Sequence, residues 1–213
     1  MRFLVITDFH QKRSRLELIN SRIGEYEPDF TLFLGDVTDM GTGEDAANII
    51  QDINSEVYVI PGNCDPRDMP EKISDVAHDM HGKGTEIDGQ YFAGIGGSNI
   101  TIFGTPFELT EDELHKGLKP ISRKGMVLMT HVPSYGILDT IPSGQNVGSK
   151  SVKRIVEEFK PVVALSGHVH EAIGAIEKDG TLFVNPGPAR DGYSAIVDLN
   201  EGKAEAILLG PRD

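Results

Sequence analysis

Five short apolar runs, each stopped by a polar residue, limit what this chain can fold into more than any other feature. "RFLVITDFH", "FTLFLGD", "VYVIPGN", "GMVLMTH" and "VVALSGHVH" each place four to six mostly apolar residues before a Gly, Asp, Asn or His. Runs of that length, rich in Val, Ile, Leu and Phe, predict strands buried on both faces. A buried helix has similar hydrophobicity, but Gly, Pro and Asp end these runs too early for one. Between them, "RSRLELINSRIGEY" sets Leu16, Ile19 and Ile23 on one helical face, with Ser14 or a neighbour at the cap. "GEDAANIIQDI" and "SKSVKRIVEEFK" follow the same logic, the latter with Ser149 or Ser151 as N-cap. Alternating strands and helices imply a parallel sheet core with right-handed crossovers. Chemistry in such sheets gathers beyond the carboxyl ends of the strands, where these polar residues sit.

Three other segments read as hairpins. "GTEIDGQYFAGIGG" and "EAIGAIEKDGTLFVNPG" carry Asp88-Gly89 and Asp179-Gly180 as turn signals, and "YSAIVDLNEGKAEAILL" turns near Asn200 to Gly202. Parallel strands plus hairpins predict two sheets packed face to face with helices outside, an α/β sandwich held in one domain over 1–213.

A formal net charge of −13 argues against a broad basic face for nucleic acid, and no stable nucleic-acid complex is expected. It leaves room for a phosphate substrate at a site where metal ions reverse the local field. Cys64 is the only cysteine, which excludes an internal disulfide and a cysteine-rich zinc knuckle and favours a reducing compartment. No apolar run is long enough to span a bilayer, and "MRFLVITDFH" is too short in apolar residues for a signal-peptide core. A cytoplasmic location without membrane association is expected.

The strand-end residues are Asp8 and His10, Asp36, Asn63, His131, then His168 and His170. Singly, each also fits a solvated turn or a satisfied histidine at a core edge. Together they place four of the seven histidines beside two carboxylates and an amide at the ends of buried strands. Such carboxylates are costly to bury unless paired or bound to metal. An oxygen and imidazole set without thiolates suits Mn, Fe, Co, Ni or Zn, and seven ligands suit two ions sharing a carboxylate.

In these motifs the chain resembles the calcineurin-like metallophosphoesterases, whose order is D-x-H, G-D, G-N-H-[DE], a lone His and G-H-x-H, each after a strand. Here these are Asp8-Phe9-His10, Gly35-Asp36, Gly62-Asn63-Cys64-Asp65, His131 and Gly167-His168-Val169-His170. The resemblance implies a four-layer fold, with two packed mixed sheets flanked by helices. It implies Asp8, His10 and His170 on one ion, Asn63, His131 and His168 on the other, and Asp36 between them. Asp36, Asn63 and His131 are then expected to carry catalysis as well. The implied activity is two-metal hydrolysis of a small phosphoester, a phosphodiester ahead of a monoester, by in-line attack of activated water. Mn is the favoured ion, and a nucleotide or cyclic nucleotide is one candidate substrate; the oligomeric state is left open.

Cys64 stands where many members carry His, as in a subgroup of small members that includes bacterial and archaeal phosphodiesterases. A turn-filling residue, a thiolate ligand and a nucleophile are its three readings. Two rivals to a phosphodiesterase remain. One is a scaffold on the same fold with an impaired metal site, disfavoured by the complete ligand set. The other is a nuclease of the superfamily, disfavoured by Cys64 and by the lack of residues for a capping domain. "HVPSYGILD" reads as a substrate wall, with Tyr135 stacking on a base, or as a structural loop. "NVGSKSVKRI" offers helix amides to an anion, though capping alone accounts for it. Asp65 is a candidate partner for the imidazoles, and His78, His81 and His115 read as surface residues.

Overall fold

Along β1 (Arg2–Ile6) the side chains alternate between two buried layers: Phe3 and Val5 enter one, Leu4 and Ile6 the other. That alternation is the period of a strand with both faces covered. The structure, a computed structural model, describes residues 1–212. After β1 come α1 (Leu16–Tyr26), β2 (Phe30–Phe33), α2 (Gly43–Ile50), β3 (Val57–Val59), the short α3 (Met69–Lys72) and β4 (His78–Asp79). Next are β5 (Lys83–Ile87), β6 (Gln90–Ile95), the two-residue pair β7 (Ser98–Asn99) and β8 (Glu108–Leu109), α4 (Glu111–Leu118) and β9 (Val127–Thr130). The chain continues through α5 (Lys150–Phe159), β10 (Val163–Leu165), β11 (Gly174–Lys178), β12 (Thr181–Asn185), β13 (Ser194–Asn200) and β14 (Lys203–Leu209).

Two six-stranded mixed sheets result, in the orders β14-β13-β1-β2-β3-β4 and β11-β12-β10-β9-β6-β5. The strands from β1 to β4 run parallel in the first, and β12, β10, β9 and β6 in the second. The three expected hairpins close the antiparallel edges. Their turns put Asp88-Gly89 at φ 48° and 82°, Asp179-Gly180 at 52° and 81°, and Glu201-Gly202 at 51° and 76°. Positive φ at both central residues is the type I′ turn, whose twist matches the flanking strands.

Between the sheets lie Phe3, Val5, Phe30, Leu32, Phe92, Val127, Met129 and Val163, with the Phe3, Phe30 and Phe92 rings 5.6–6.1 Å apart. Each such buried ring stabilises by about 1.5–3 kcal/mol from burial alone. Leu16 and Ile19 of α1 and Ile49 and Ile50 of α2 cover the outer face of the first sheet. Leu114 and Leu118 of α4 and Ile155 and Val156 of α5 cover that of the second. The order helix, sheet, sheet, helix is the four-layer architecture expected.

Helix starts follow capping chemistry, with one departure. Thr42 and Thr110 form reciprocal capping boxes with Asp45 and Glu113, and Ser149 caps α5 through the amides of Ser151 and Val152. Ser14 does not cap α1: it lies inside a 3₁₀ turn, Arg13–Arg15, that leads into the helix with no side-chain cap.

Candidate metal centre

The parallel strands of both sheets deliver their carboxyl ends to one place. Asp8 and His10 follow β1, Asp36 follows β2, Asn63 follows β3, His131 follows β9, and His168 and His170 follow β10. The loops are knitted by their backbones. Phe9 and His10 both donate to the carbonyl of Asp36 (2.8 and 2.9 Å), and Gly167 donates to that of His131 (2.9 Å). Asp8, His10, Asp36 and His168 have φ of 53°, 47°, 50° and 66°. Non-glycine residues in this left-handed region cost about 1–3 kcal/mol each, a strain that gathers at functional sites. At Gly62 a Cβ would collide with Asp36 Oδ1, and at Gly167 with Thr7 and Asp8, so both loops need glycine for close approach.

All seven side chains meet there. His170 Nε2 lies 3.1 Å from Asp8 Oδ1, and His10 Nε2 lies 3.9 Å from Asp8 Oδ1 and 3.6 Å from Asp36 Oδ2. His131 Nε2 is 3.4 Å from Asp36 Oδ2 and 3.0 Å from Asn63 Oδ1, and the His131 and His168 rings are 5.1 Å apart. Ligand atoms of Asp8, His10 and His170 lie within 4.8 Å of one another, as do those of Asp8, Asp36 and His131 and those of His10, Asp36 and Cys64, so the ligand reading of the thiol stays open.

Electrostatics couples the groups. Burial alone would raise Asp8 and Asp36, but the surrounding imidazoles, His170 and His131 foremost, hold both carboxyls below their ordinary value. Burial would lower His131, yet Asp36 and Asp8 raise it to about 9. His168 falls to about 4 through burial and the neighbouring His131. His131 Nδ1 donates to the carbonyl of Leu34 at 2.7 Å, which directs Nε2 at the cluster. His10 is the outlier: both ring nitrogens are buried without a hydrogen-bond partner. An imidazole with no partner, facing two buried carboxylates, is what a divalent ion would satisfy, so the donor set fits a metal centre.

The sequence profile of the family described as calcineurin-like phosphoesterase matches residues 1–172. The chain belongs to that family. It is 32% identical over 200 residues to an uncharacterized protein of Methanocaldococcus jannaschii, covering 88% of each chain. It is 23% identical to a probable glycerophosphodiester phosphodiesterase of Arcobacter nitrofigilis, over 87% of this chain and 71% of that one. An archaeal phosphodiesterase of known structure shares the fold, with a TM-score of 0.60 at 14% identity, covering 98% of this chain and all of that chain.

Several neighbours of the cluster depart from expectation. Asp65 touches no imidazole; fully buried, it accepts from the amides of Gly62 (2.8 Å), Val37 (3.1 Å) and Thr38 (2.7 Å) and from the Thr38 hydroxyl (2.9 Å). It thereby ties the Asp36 loop to the Asn63 loop, although burial and Asp36 push its carboxyl up to about 6. The amides at the start of α5 are taken by the chain's own Glu111, which accepts from Ser151 N (2.7 Å) and Lys150 N (3.2 Å). "HVPSYGILD" is braced from within: buried Asp139 accepts from the amides of Gly136 and Gly148, both at 2.9 Å, and from the Asn146 side chain. The ammonium groups of Lys150 and Lys153 lie over the Tyr135 ring. His78 is exposed, but His81 and His115 are half-buried; His81 Nδ1 accepts from the amide of Gly96 at 3.0 Å.

Three contacts escaped the sequence reading. The Asn63 amide donates to Thr105 Oγ1 (3.1 Å), which turns Oδ1 toward His131. Cys64 N donates to Asp36 Oδ1 at 2.8 Å, fixing that carboxylate. Arg190 Nη2 lies 3.2 Å from His170 Nδ1. Among the described residues, no helix is long and apolar enough to cross a membrane.

Proposed function

We propose that this phosphoesterase is a two-metal hydrolase of small phosphoesters, acting on diesters in preference to monoesters. Asp8, His10 and His170 would hold one divalent ion, Asn63, His131 and His168 the other, and Asp36 would serve both. When bound, the ions supply a water-derived nucleophile near neutral pH and offset charge on the phosphoryl oxygens. The chain's own residues set the geometry. Cys64 N and the carbonyl contacts of the Asp36 loop orient Asp36, Thr105 orients the amide of Asn63, and the Leu34 carbonyl orients His131.

The observation that carries this reading is buried His10, whose unpaired ring faces Asp8 and Asp36 beyond hydrogen-bond distance. A buried polar group left so costs about 1–3 kcal/mol, which an ion would offset. The preference for diesters rests on Cys64. Burial and the Asp36 charge push its thiol well above the ordinary value, and a thiol is a weak hydrogen-bond donor beside the histidine that many members carry there. A site without help for the leaving oxygen favours esters that depart unaided. The relatives named for phosphodiester cleavage lean the same way. We place the chain with members that carry Gly-Asn-Cys-Asp, take 1–213 as one domain, and rank Mn first among Mn, Fe, Co, Ni and Zn.

The test is to strip the protein of metal, reload it with single ions, and assay nucleotide monoesters, cyclic nucleotides, dinucleotides and aryl diesters. Hydrolysis restored by metal supports the reading. Metal binding without hydrolysis of any member of the panel would reject it in favour of a scaffold.

A further inference from the structure

Arg190 sits in a single 3₁₀ turn, Ala189–Asp191, between β12 and β13. Backbone contacts bind that turn to the metal-site loop: Ala189 N donates to the carbonyl of Thr7 (2.8 Å) and Arg190 N to that of Asp8 (3.2 Å). Arg15 Nε donates to the Arg190 carbonyl at 3.1 Å. The position of Arg190 is therefore fixed relative to Asp8, while its side chain remains 40% exposed. Its carboxylate contact is a loose one, 3.8 Å from Nε to Asp191. Among the described residues, it is the one Lys or Arg whose side chain hydrogen-bonds any of the seven cluster residues.

The guanidinium stands at the rim of the cluster, 3.2 Å from His170 Nδ1, while His170 Nε2 lies 3.1 Å from Asp8 Oδ1. A partly exposed planar cation held there suits two phosphoryl oxygens in charge and in the spacing of its donors.

We propose that Arg190 is the phosphate-binding residue of this site, its guanidinium turning from His170 to a phosphoryl oxygen of the substrate. This rests on the two-metal reading above. It adds a specificity: the group next to His170 must be an anionic phosphoryl group, so neutral triesters are poor ligands.

The experiment measures the affinity of Mn²⁺-loaded protein for inorganic phosphate by calorimetry, with bound metal quantified in parallel. Arg190→Gln should weaken phosphate about tenfold or more with metal content unchanged, because a charge-assisted pair is lost. Arg190→Lys should recover part of the affinity, since it keeps the charge and loses the fork. Unchanged phosphate affinity in Arg190→Gln overturns the proposal. So does a loss of metal with normal phosphate affinity once metal is saturating, which makes Arg190 a positioning residue for His170. Arg190-dependent phosphate binding by a protein that hydrolyses no ester would leave this inference standing and remove the enzymatic one.

Discussion

Asp36 Oδ2 stands 3.4 Å from His131 Nε2, and the same oxygen lies 3.6 Å from His10 Nε2. The two imidazoles belong to different halves of the proposed centre, so Asp36 is placed to serve both, and more closely than Asp8, whose Oδ1 lies 3.9 Å from His10 Nε2 and 4.0 Å from His131 Nε2. Asp36→Asn should therefore impair retention of both ions, whereas His10→Ala should chiefly weaken one. Metal analysis after dialysis checks this. Two tightly held ions and full activity in Asp36→Asn would sink the assignment.

Asp65 carries a different load. Its carboxylate accepts four hydrogen bonds and joins the loops that present Asp36 and Asn63. Asp65→Ala should cost about 2–4 kcal/mol, because several buried donors lose their partner at once. Denaturant unfolding of metal-free protein measures it. A loss below about 1 kcal/mol would mean that water replaces the carboxylate, against the full burial of this side chain.

Much of this architecture was legible in the sequence because burial on two faces leaves a simple trace. The five apolar runs became β1, β2, β3, β9 and β10, and the Asp-Gly pairs became type I′ turns. The meeting of Asp8, Asp36, Asn63 and the four histidines followed from strand direction, since parallel strands bring their carboxyl ends together. What stayed hidden depends on contacts between segments distant in the chain. Arg190 lies in "NPGPARDGY", which has no periodicity, and Thr105 lies in a loop that only the fold carries to Asn63. Helix α4 was missed although Thr110-x-x-Glu113 is a capping-box signal, because Leu114 and Leu118 alone made too sparse a stripe.

The pH dependence of stability should differ with and without metal. His131 is raised to about 9, so its contribution is complete below about 6.5 and is lost as pH climbs through 9. His168 is depressed to about 4, so the unfolded chain takes up its proton first and stability falls as pH drops from about 6.5 toward 4. Asp65, raised to about 6, acts with the opposite sign to His168 below that pH, so the clear loss in metal-free protein is expected as pH climbs from about 6.5 through 9. Metal must displace the His131 proton, so ion affinity should rise with pH up to about 9 and the loaded protein should gain where the free one loses. Thermal unfolding from pH 4 to 9.5 in both states checks the opposite signs above neutrality.

Ion choice follows from the donors. Four imidazoles and one amide oxygen accompany two carboxylates, a set too rich in nitrogen for Mg²⁺, which prefers oxygen and retains its waters. Mn²⁺ should restore activity to stripped protein, with Co²⁺ or Ni²⁺ as substitutes and Mg²⁺ poor. Equal activity with Mg²⁺ as the sole ion would count against the ligand set.

Cys64 offers the most discriminating kinetics. Its backbone amide anchors Asp36 Oδ1, while burial and that same carboxylate push its half-buried thiol upward. A thiol is a weak hydrogen-bond donor and gives a departing oxygen less help than an imidazolium would. Absence of general-acid help commonly costs about 10²–10⁴-fold, most for poor leaving groups. Diesters with stable aryl leaving groups should therefore be cleaved much faster than alkyl monoesters. Cys64→Ala should change rates little, because the anchoring contact is made by the backbone and survives. Cys64→His should narrow the gap between good and poor leaving groups, provided the imidazole reaches the departing oxygen. The measurement is kcat/KM against leaving-group pKa for the three proteins, with metal content verified in each. A flat dependence in the unaltered protein, with chemistry limiting, would mean that another residue donates the proton. If Cys64→Ala abolished activity while both ions stayed bound, the thiol itself would be catalytic and the diester preference would need another cause.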